Sequence, residues 1–491
     1  MLEVHVTITA VAVLAVILLL FLIGLLFYIY PSSNKETTVP GPAVSDIRDG
    51  NRSDIDRAGS LHQYLCNLHA EHGDLASFHF DKQLIISIAD SKYFAPRSQV
   101  FQLPEFWEPM IGKESFVFSQ GVDVFKRRDN IDFKVDKKVK EFYAKIFRLL
   151  AIELEEKWRK QPEDQHIPLT QHLKGLATKA VCQMMFGESF ADDERVIKLY
   201  KAWDKVRTQV FCYFFAKWNQ LNQNQMKRNK TYSAIKELRS LMEKAIEERW
   251  KKSKHLDGIT LLDGLLASSN SSVSPLSSEQ LLCDVITMFT IGVQVTNAVL
   301  CWSVYFIAAH DDVQTKLRNK LNEVESLDIM PQSLNEMKYM QSIIKESIRC
   351  SGVFSYSGRV EDIDITVGDH LVPKGTPIIE ALMFPMQSDA FESPDMFNPK
   401  NFSDATKSVN PLTYIPFAFG GSRHKPQDSL VYLLVSITVA SLFRTLRISL
   451  AGKEVDPQSA NYESFVALPS TEEVWVTVGG KLDVETVGEN N

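Results

Sequence analysis

The chain is 491 residues long, 45% of them hydrophobic and 23% charged, the balance of a compact globule with a substantial core, which excludes disorder as the state of its main body. Its 54 Lys and Arg against 61 Asp and Glu leave a net charge of -7, which offers no long-range attraction to nucleic acid. Its six cysteines, Cys66, Cys182, Cys212, Cys283, Cys301 and Cys350, stand singly. They lack the short paired spacings of a zinc site and the density of a disulfide scaffold, and read as reduced, mostly buried thiols.

Residues 6–30 form 25 consecutive uncharged positions rich in Val, Ile and Leu, long enough to cross a bilayer as a tilted helix. The stretch is too long for the apolar region of a cleaved signal peptide, and Glu3 stands where basic residues belong. Residues 1–30 are therefore expected to be a single-pass transmembrane anchor, with the lipid bilayer as the partner of residues 6–30. Lys35, Arg48 and Arg52 follow it, a sparse positive-inside signal that puts the main domain in the cytosol. Residues 31–60, with Pro31-Ser32-Ser33 and Pro40-Gly41-Pro42, read as a polar linker in which proline stiffness and glycine freedom turn the chain away from the membrane. Residues 61–481 are expected to be the main domain and 482–491 a tail.

Within that domain residues 84–88 alternate and are β-branched, as in a strand, whereas residues 137–158, 233–254 and 313–324 carry apolar stripes of helical period. Residues 268–278, rich in Ser and broken by Pro275, read as a surface loop. The helix that follows, residues 279–309, is apolar nearly all round (Val285, Ile286, Met288, Phe289, Val299, Trp302) and is predicted to run through the middle of the domain. It is as long as a membrane span, but Gln294, Thr296 and Asn297 interrupt it, which favours a buried core helix. From Ile363 the pattern changes to short strands, with Val372-Pro373-Lys374-Gly375-Thr376 as a turn between two of them, and residues 430–446 return to helix.

Glu346 and Arg349, three apart in Lys345-Glu346-Ser347-Ile348-Arg349, share a helical face and can form an ion pair. Alone, such a pair reads as solvated surface charge. Here it is followed in order by Arg359, Asp364, the Pro373-Lys374-Gly375 turn, and Pro394-x-x-Phe397-x-Pro399-x-x-Phe402. That set resembles the cytochrome P450 family, with its Glu-x-x-Arg helix, proline-lysine-glycine turn and Pro-x-x-Phe-x-Pro meander. Gln314, Leu317 and Glu323 look like the family's J helix, Phe186-Gly187 like the end of its E helix, and the anchor with Pro40-Gly41-Pro42 like a microsomal N-terminus. Ser60 to Leu65 and the tail from Glu463 to Val478 are most similar to the orphan family-20 cytochromes P450. The resemblance implies a predominantly α fold with a smaller β region and a b-type haem. It also implies monooxygenase chemistry at the endoplasmic reticulum, with electrons from a membrane reductase and a lipophilic small molecule as substrate.

The pattern breaks at the cofactor. In the family a loop Phe-x-x-Gly-x-Arg-x-Cys supplies the thiolate that binds haem iron and favours O–O cleavage. The corresponding stretch here, Pro416-Phe417-Ala418-Phe419-Gly420-Gly421-Ser422-Arg423-His424-Lys425-Pro426, has no cysteine. Counting from Phe417 and Gly420 puts His424 at the ligand position; counting from Gly421, Arg423, Pro426 and Tyr432 puts Lys425 there. Neutral imidazole is a good haem ligand, whereas lysine must first lose its proton and hydration, and both residues also read as solvated loop residues that bind no iron. Arg423, Arg359 and Arg128 are, by resemblance, candidates to meet haem propionates, although Arg127 and Arg128 better suit a solvated basic face with Lys134, Lys137 and Lys138. In Ile291-Gly292-Val293-Gln294-Val295-Thr296, Gly292 can loosen the helix and Thr296 offers a catalytic hydroxyl, but Gln294 or Val295 stands where the family places an acid for proton delivery. Asn401 replaces the meander arginine, so Glu346 and Arg349 must balance each other.

Three functions remain open on this reading: a family member with altered or lost catalysis, an active haem-thiolate monooxygenase whose loop is atypical or misread, and a non-catalytic membrane-anchored scaffold or lipophilic-ligand-binding protein. Fold alone does not choose among them.

Overall fold

The computed structural model describes residues 37–94, 108–118, 137–218, 224–251, 260–269, 276–323, 337–353, 355–361, 363–403, 413–416, 426–452 and 473–480. The expected anchor and tail lie outside the described residues. Helices of eight residues or more are, in chain order, α1 (Leu61–His72), α2 (Lys137–Arg159), α3 (Leu169–Phe186), α4 (Asp193–Trp218), α5 (Asn224–Lys251), α6 (Leu261–Ser269), α7 (Ser278–Ala309), α8 (Asp311–Asn322), α9 (Lys338–Ser351) and α10 (Pro426–Thr445). The strands are β1 (Leu75–Phe80), β2 (Gln83–Ile88), β3 (Ile167–Pro168), β4 (Ser357–Val360), β5 (Ile365–Val367), β6 (His370–Val372), β7 (Pro377–Glu380), β8 (Arg447–Leu450) and β9 (Trp475–Gly479).

The chain divides into two compact units, residues 1–89 with 360–379, and residues 90–359 with 380–491. In the first, β1 and β2 form an antiparallel hairpin registered Leu75↔Ile88 through Phe80↔Gln83, and Ala76, Phe78, Ile86 and Ile88 are buried. The stretch read as a linker is seated here: the Pro40 carbonyl accepts from the Ser77 amide at 2.7 Å, and a Cβ at Gly41 would collide with the Ser77 carbonyl oxygen. The turn between β6 and β7 matches the sequence reading, with the Gly375 amide donating to the Glu361 carbonyl at 2.9 Å and Gly375 at φ +77, a conformation glycine adopts without steric cost.

The second unit is organised around α7. Ser277 and Gln280 close a reciprocal capping box at its start, satisfying backbone donors that would otherwise be orphaned. Its apolar residues are buried on nearly all sides, each large one contributing about 1.5–3 kcal/mol. It is long and apolar enough to cross a membrane, yet 89% of its apolar window is buried inside the protein, so it is a core helix. Helices α3, α5, α9 and α10 pack against it. The Trp203 indole of α4 donates to the Thr290 hydroxyl at 3.0 Å. Strands β3, β9 and β8 form a three-stranded sheet in that order. Gln314 of α8 pins its edge, accepting from the Ile448 amide at 2.9 Å and donating to the Ile448 carbonyl at 2.8 Å.

The segments read as helical at 137–158, 279–309, 313–324 and 430–446 fall on α2, α7, α8 and α10, residue 324 lying outside the described residues, and α3 ends at Phe186 with Gly187 as its C-cap. Helix α5 begins at Asn224, ahead of the apolar stripe that starts at Ser233. Its first turns, Asn-Gln-Met-Lys-Arg-Asn-Lys, are held by the propensity of straight-chain residues, which leaves no hydrophobic period to read.

Candidate functional site

The best-defined cluster forms where α9 meets the meander that follows β7. Glu346 and Arg349 are both 0% exposed. Their spacing brings Arg349 Nε to Glu346 Oε2 at 2.8 Å and Nη2 to Glu346 Oε1 at 2.9 Å, a bidentate pair of the kind that fixes geometry. The remaining donors of Arg349 reach the carbonyls of Met386 at 3.0 Å, Pro394 at 2.7 Å and Met396 at 3.0 Å. Glu346 Oε1 accepts from the Asn398 amide at 2.8 Å and from Asn401 Nδ2 at 3.0 Å, while Asn401 Oδ1 accepts from the Glu392 amide at 2.9 Å. Burial works against the Arg349 charge, but the hydrogen bonds to Glu346 together with the charges of Cys350, Glu346 and Asp395 outweigh it and hold the guanidinium above its ordinary pKa. One ion pair thus gathers the described part of the meander, and the Asn401 side chain contributes three hydrogen bonds where the family pattern places a charge. Phe397 of the meander stacks on Phe306 of α7, ring centroids 4.6 Å apart and planes 2° from parallel.

Arg359 on β4 does not stand open. It pairs with Glu380, Nε to Oε1 at 3.5 Å, with side chains 5% and 3% exposed. Sequence reasoning missed Glu380; its signal is an acid inside the apolar run Ile378-Ile379-Glu380-Ala381-Leu382.

On α7, Ile291 and Gly292 are partly exposed between two buried stretches, so here the helix can be reached. The helix is unbroken across them: Gly292 does not loosen it. Gly292 instead permits close approach to α3, since a Cβ there would stand 3.2 Å from Val181 Cγ1. Thr296, four residues on, shares that face, whereas Gln294, two residues on, points about 200° away from it. Thr287 and Thr290 donate to the carbonyls four residues back at 2.8 Å; the Thr296 hydroxyl and the Gln294 carbonyl oxygen are buried with no hydrogen-bond partner among the described residues. Such atoms cost about 1–3 kcal/mol each unless water or a ligand satisfies them. Gln294 stands three residues after Ile291 and shares Ile291's side of the helix, so the two orphaned oxygens lie on different sides of it.

The stretch leading into α10 is described on both sides: Tyr414 and Tyr432 join their hydroxyls at 3.1 Å. Arg423, His424 and Lys425 between them, and Arg128, lie outside the described residues. The last cysteine in the chain is Cys350. Cys182 and Cys301 are buried in the core, with thiol pKa values pushed far up by burial. Burial likewise pushes Cys283 to about 11, so these thiols are not poised as thiolates.

Comparison with known proteins says to which family this arrangement belongs. The family model for Cytochrome P450 matches residues 48–466. The chain belongs to the cytochrome P450 family. Its predominantly helical body with a smaller strand region is the cytochrome P450 fold, and the family brings haem-dependent monooxygenase chemistry as the reference for the site. The chain is 28% identical to Cytochrome P450 20A1 of Rattus norvegicus over 473 residues, covering 95% of this chain and 98% of that protein. It is also 28% identical to Cytochrome P450 20A1 of Homo sapiens, with the same coverage. A shorter match, 31% over 203 residues and 40% of each chain, is to Cytochrome P450 4d2 of Drosophila melanogaster.

Proposed function

We propose that this cytochrome P450 is a membrane-anchored protein that binds a lipophilic small molecule against α7 and has altered or lost haem-thiolate monooxygenase chemistry. The observation that carries the reading is chemical: no cysteine follows Cys350, so the donor set ahead of α10 offers His424 or Lys425 and does not fit a thiolate-held haem. Neither residue supplies the electron density that a thiolate gives to iron-bound oxygen. The central helix supports the same reading, because Gln294 and Val295 are the residues at the family's distal acid and neither carries a carboxylate.

The anchor in residues 6–30, a cytosolic orientation at the endoplasmic reticulum and a reductase partner belong to the same proposal and rest on the sequence and the family. The opening at Ile291 and Gly292 on an otherwise apolar helix suits a ligand that is mostly hydrocarbon with one polar group in reach of Gln294.

The test is to restore the missing ligand. His424→Cys and Lys425→Cys are each made in the full-length chain, supplied with haem and reduced under carbon monoxide. One of the two should gain the red-shifted Soret band of a thiolate haem that the parent lacks, and which one gains it fixes the register of the loop. A parent that already shows the band, or two variants that both fail to gain it, would count against the proposal.

A further inference from the structure

We propose that the C-terminal strand β9 is a releasable strap that closes the seam between α3 and α7 by clamping the first turn of α3 through Glu473. The inference stands apart from the cofactor and from the proposed function.

The sequence around the start of α3 supplies no cap of its own. Pro168 stands at the N-cap position without a side-chain hydrogen bond, and the first turn carries no acid, although the opening amides of a helix need partners from outside it. Those partners come from the other end of the chain. The Thr170 amide donates to Glu473 Oε1 at 2.6 Å and the Gln171 amide to Glu473 Oε2 at 3.2 Å, while the Leu169 amide donates to the Val474 carbonyl at 2.9 Å. The carboxylate also meets the positive pole of the helix. Behind Glu473, β9 runs between β3, which leads into α3, and β8, which follows α10. One strand therefore ties the start of α3 to the end of α10, and both helices pack on α7. Val476 and Val478 are buried and Trp475 is 43% exposed, so β9 covers the core with one face and meets solvent with the other.

A thiol lies in the seam beside this clamp. Cys301 of α7 is buried. Burial pushes its pKa far up, and the charges that act on it are Glu473, which raises it further, and Lys174 of α3, which lowers it. Helix α2 grips α3 elsewhere, with the Trp158 indole donating to His172 Nδ1 at 2.8 Å and the Tyr143 hydroxyl to the Met184 carbonyl at 3.1 Å. Those bonds leave the first-turn amides to the strap, so losing the Glu473 clamp opens the seam from the Cys301 end.

The full-length chain in detergent is alkylated with N-ethylmaleimide, and the rates at Cys301 and Cys283 are followed by peptide mass spectrometry. Cys283, buried toward the other end of the same helix, is the control, because general destabilisation speeds both thiols whereas local opening speeds one. In Glu473→Ala the ratio of the Cys301 rate to the Cys283 rate should rise at least fivefold over the parent. A smaller rise, a parallel gain at both thiols, or no alkylation of Cys301 in either protein overturns the proposal. If Glu473→Ala does not fold, Glu473→Gln keeps one acceptor and loses the charge. It should raise the same ratio at least threefold, and anything less overturns the proposal equally.

Discussion

Glu346 shows how much structure one residue can organise. It answers both nitrogens of the Arg349 fork and two donors from the meander, all without solvent. Glu346→Gln should therefore destabilise the protein by about 3–5 kcal/mol, since it strands a buried guanidinium. Asn401→Ala, which removes hydrogen bonds and no charge, should cost about 1–3 kcal/mol. Denaturant midpoints of the full-length variants measure both; equal small effects would mean that the charge is not what matters. A different residue sets an acid limit. Burial pushes His62 down to about 4, below the ordinary histidine value of about 6.5. The unfolded chain therefore takes up a proton between those values while the folded one does not. This contribution to stability is complete above pH 6.5 and is lost as pH falls toward 4, by roughly 3 kcal/mol. Urea titrations across that range should show the slope, and His62→Gln should remove its share; an unchanged slope would contradict the assignment. Sequence spacing made the Glu346–Arg349 pair legible. It left Glu380 hidden, because one acid at the end of an apolar strand gives no period and its partner Arg359 lies 21 positions earlier in the chain.

Among the elements, α7 was readable as a central helix because an all-round apolar pattern has nowhere else to go, and it begins at Ser278, one residue before the expected start. What its sequence did not reveal was the purpose of Gly292. A glycine in a helix permits either distortion or close approach, and only the position of Val181 decides between them. Gly292→Val should cost about 1–3 kcal/mol by overpacking the crossing of α7 on α3. Val181→Ala in the same chain should recover much of that loss, so thermal unfolding of the two single variants and the double should be non-additive. Simple addition would mean that the two side chains do not share this contact. The start of α5 was illegible for the opposite reason, because polar straight-chain residues form helix without leaving a stripe.

For the molecule as a whole, the described parts of the cytochrome P450 fold rest on contacts that bind nothing. The Glu346–Arg349 hub, the stacked Phe397 and the Gln314 clamp all serve packing. The positions at which the resemblance placed chemistry carry other residues: residues 416–426 hold no cysteine, and neither Gln294 nor Val295 is an acid. Fold and site are separable because core burial and buried ion pairs stabilise the domain without reference to what binds inside it. The most direct test of this account is the absorption spectrum of the full-length protein, purified in detergent, supplied with haem and reduced under carbon monoxide. The account predicts either a nitrogen-ligated haem band or no Soret band at all, whereas a red-shifted thiolate band would contradict it and make the protein a haem-thiolate monooxygenase.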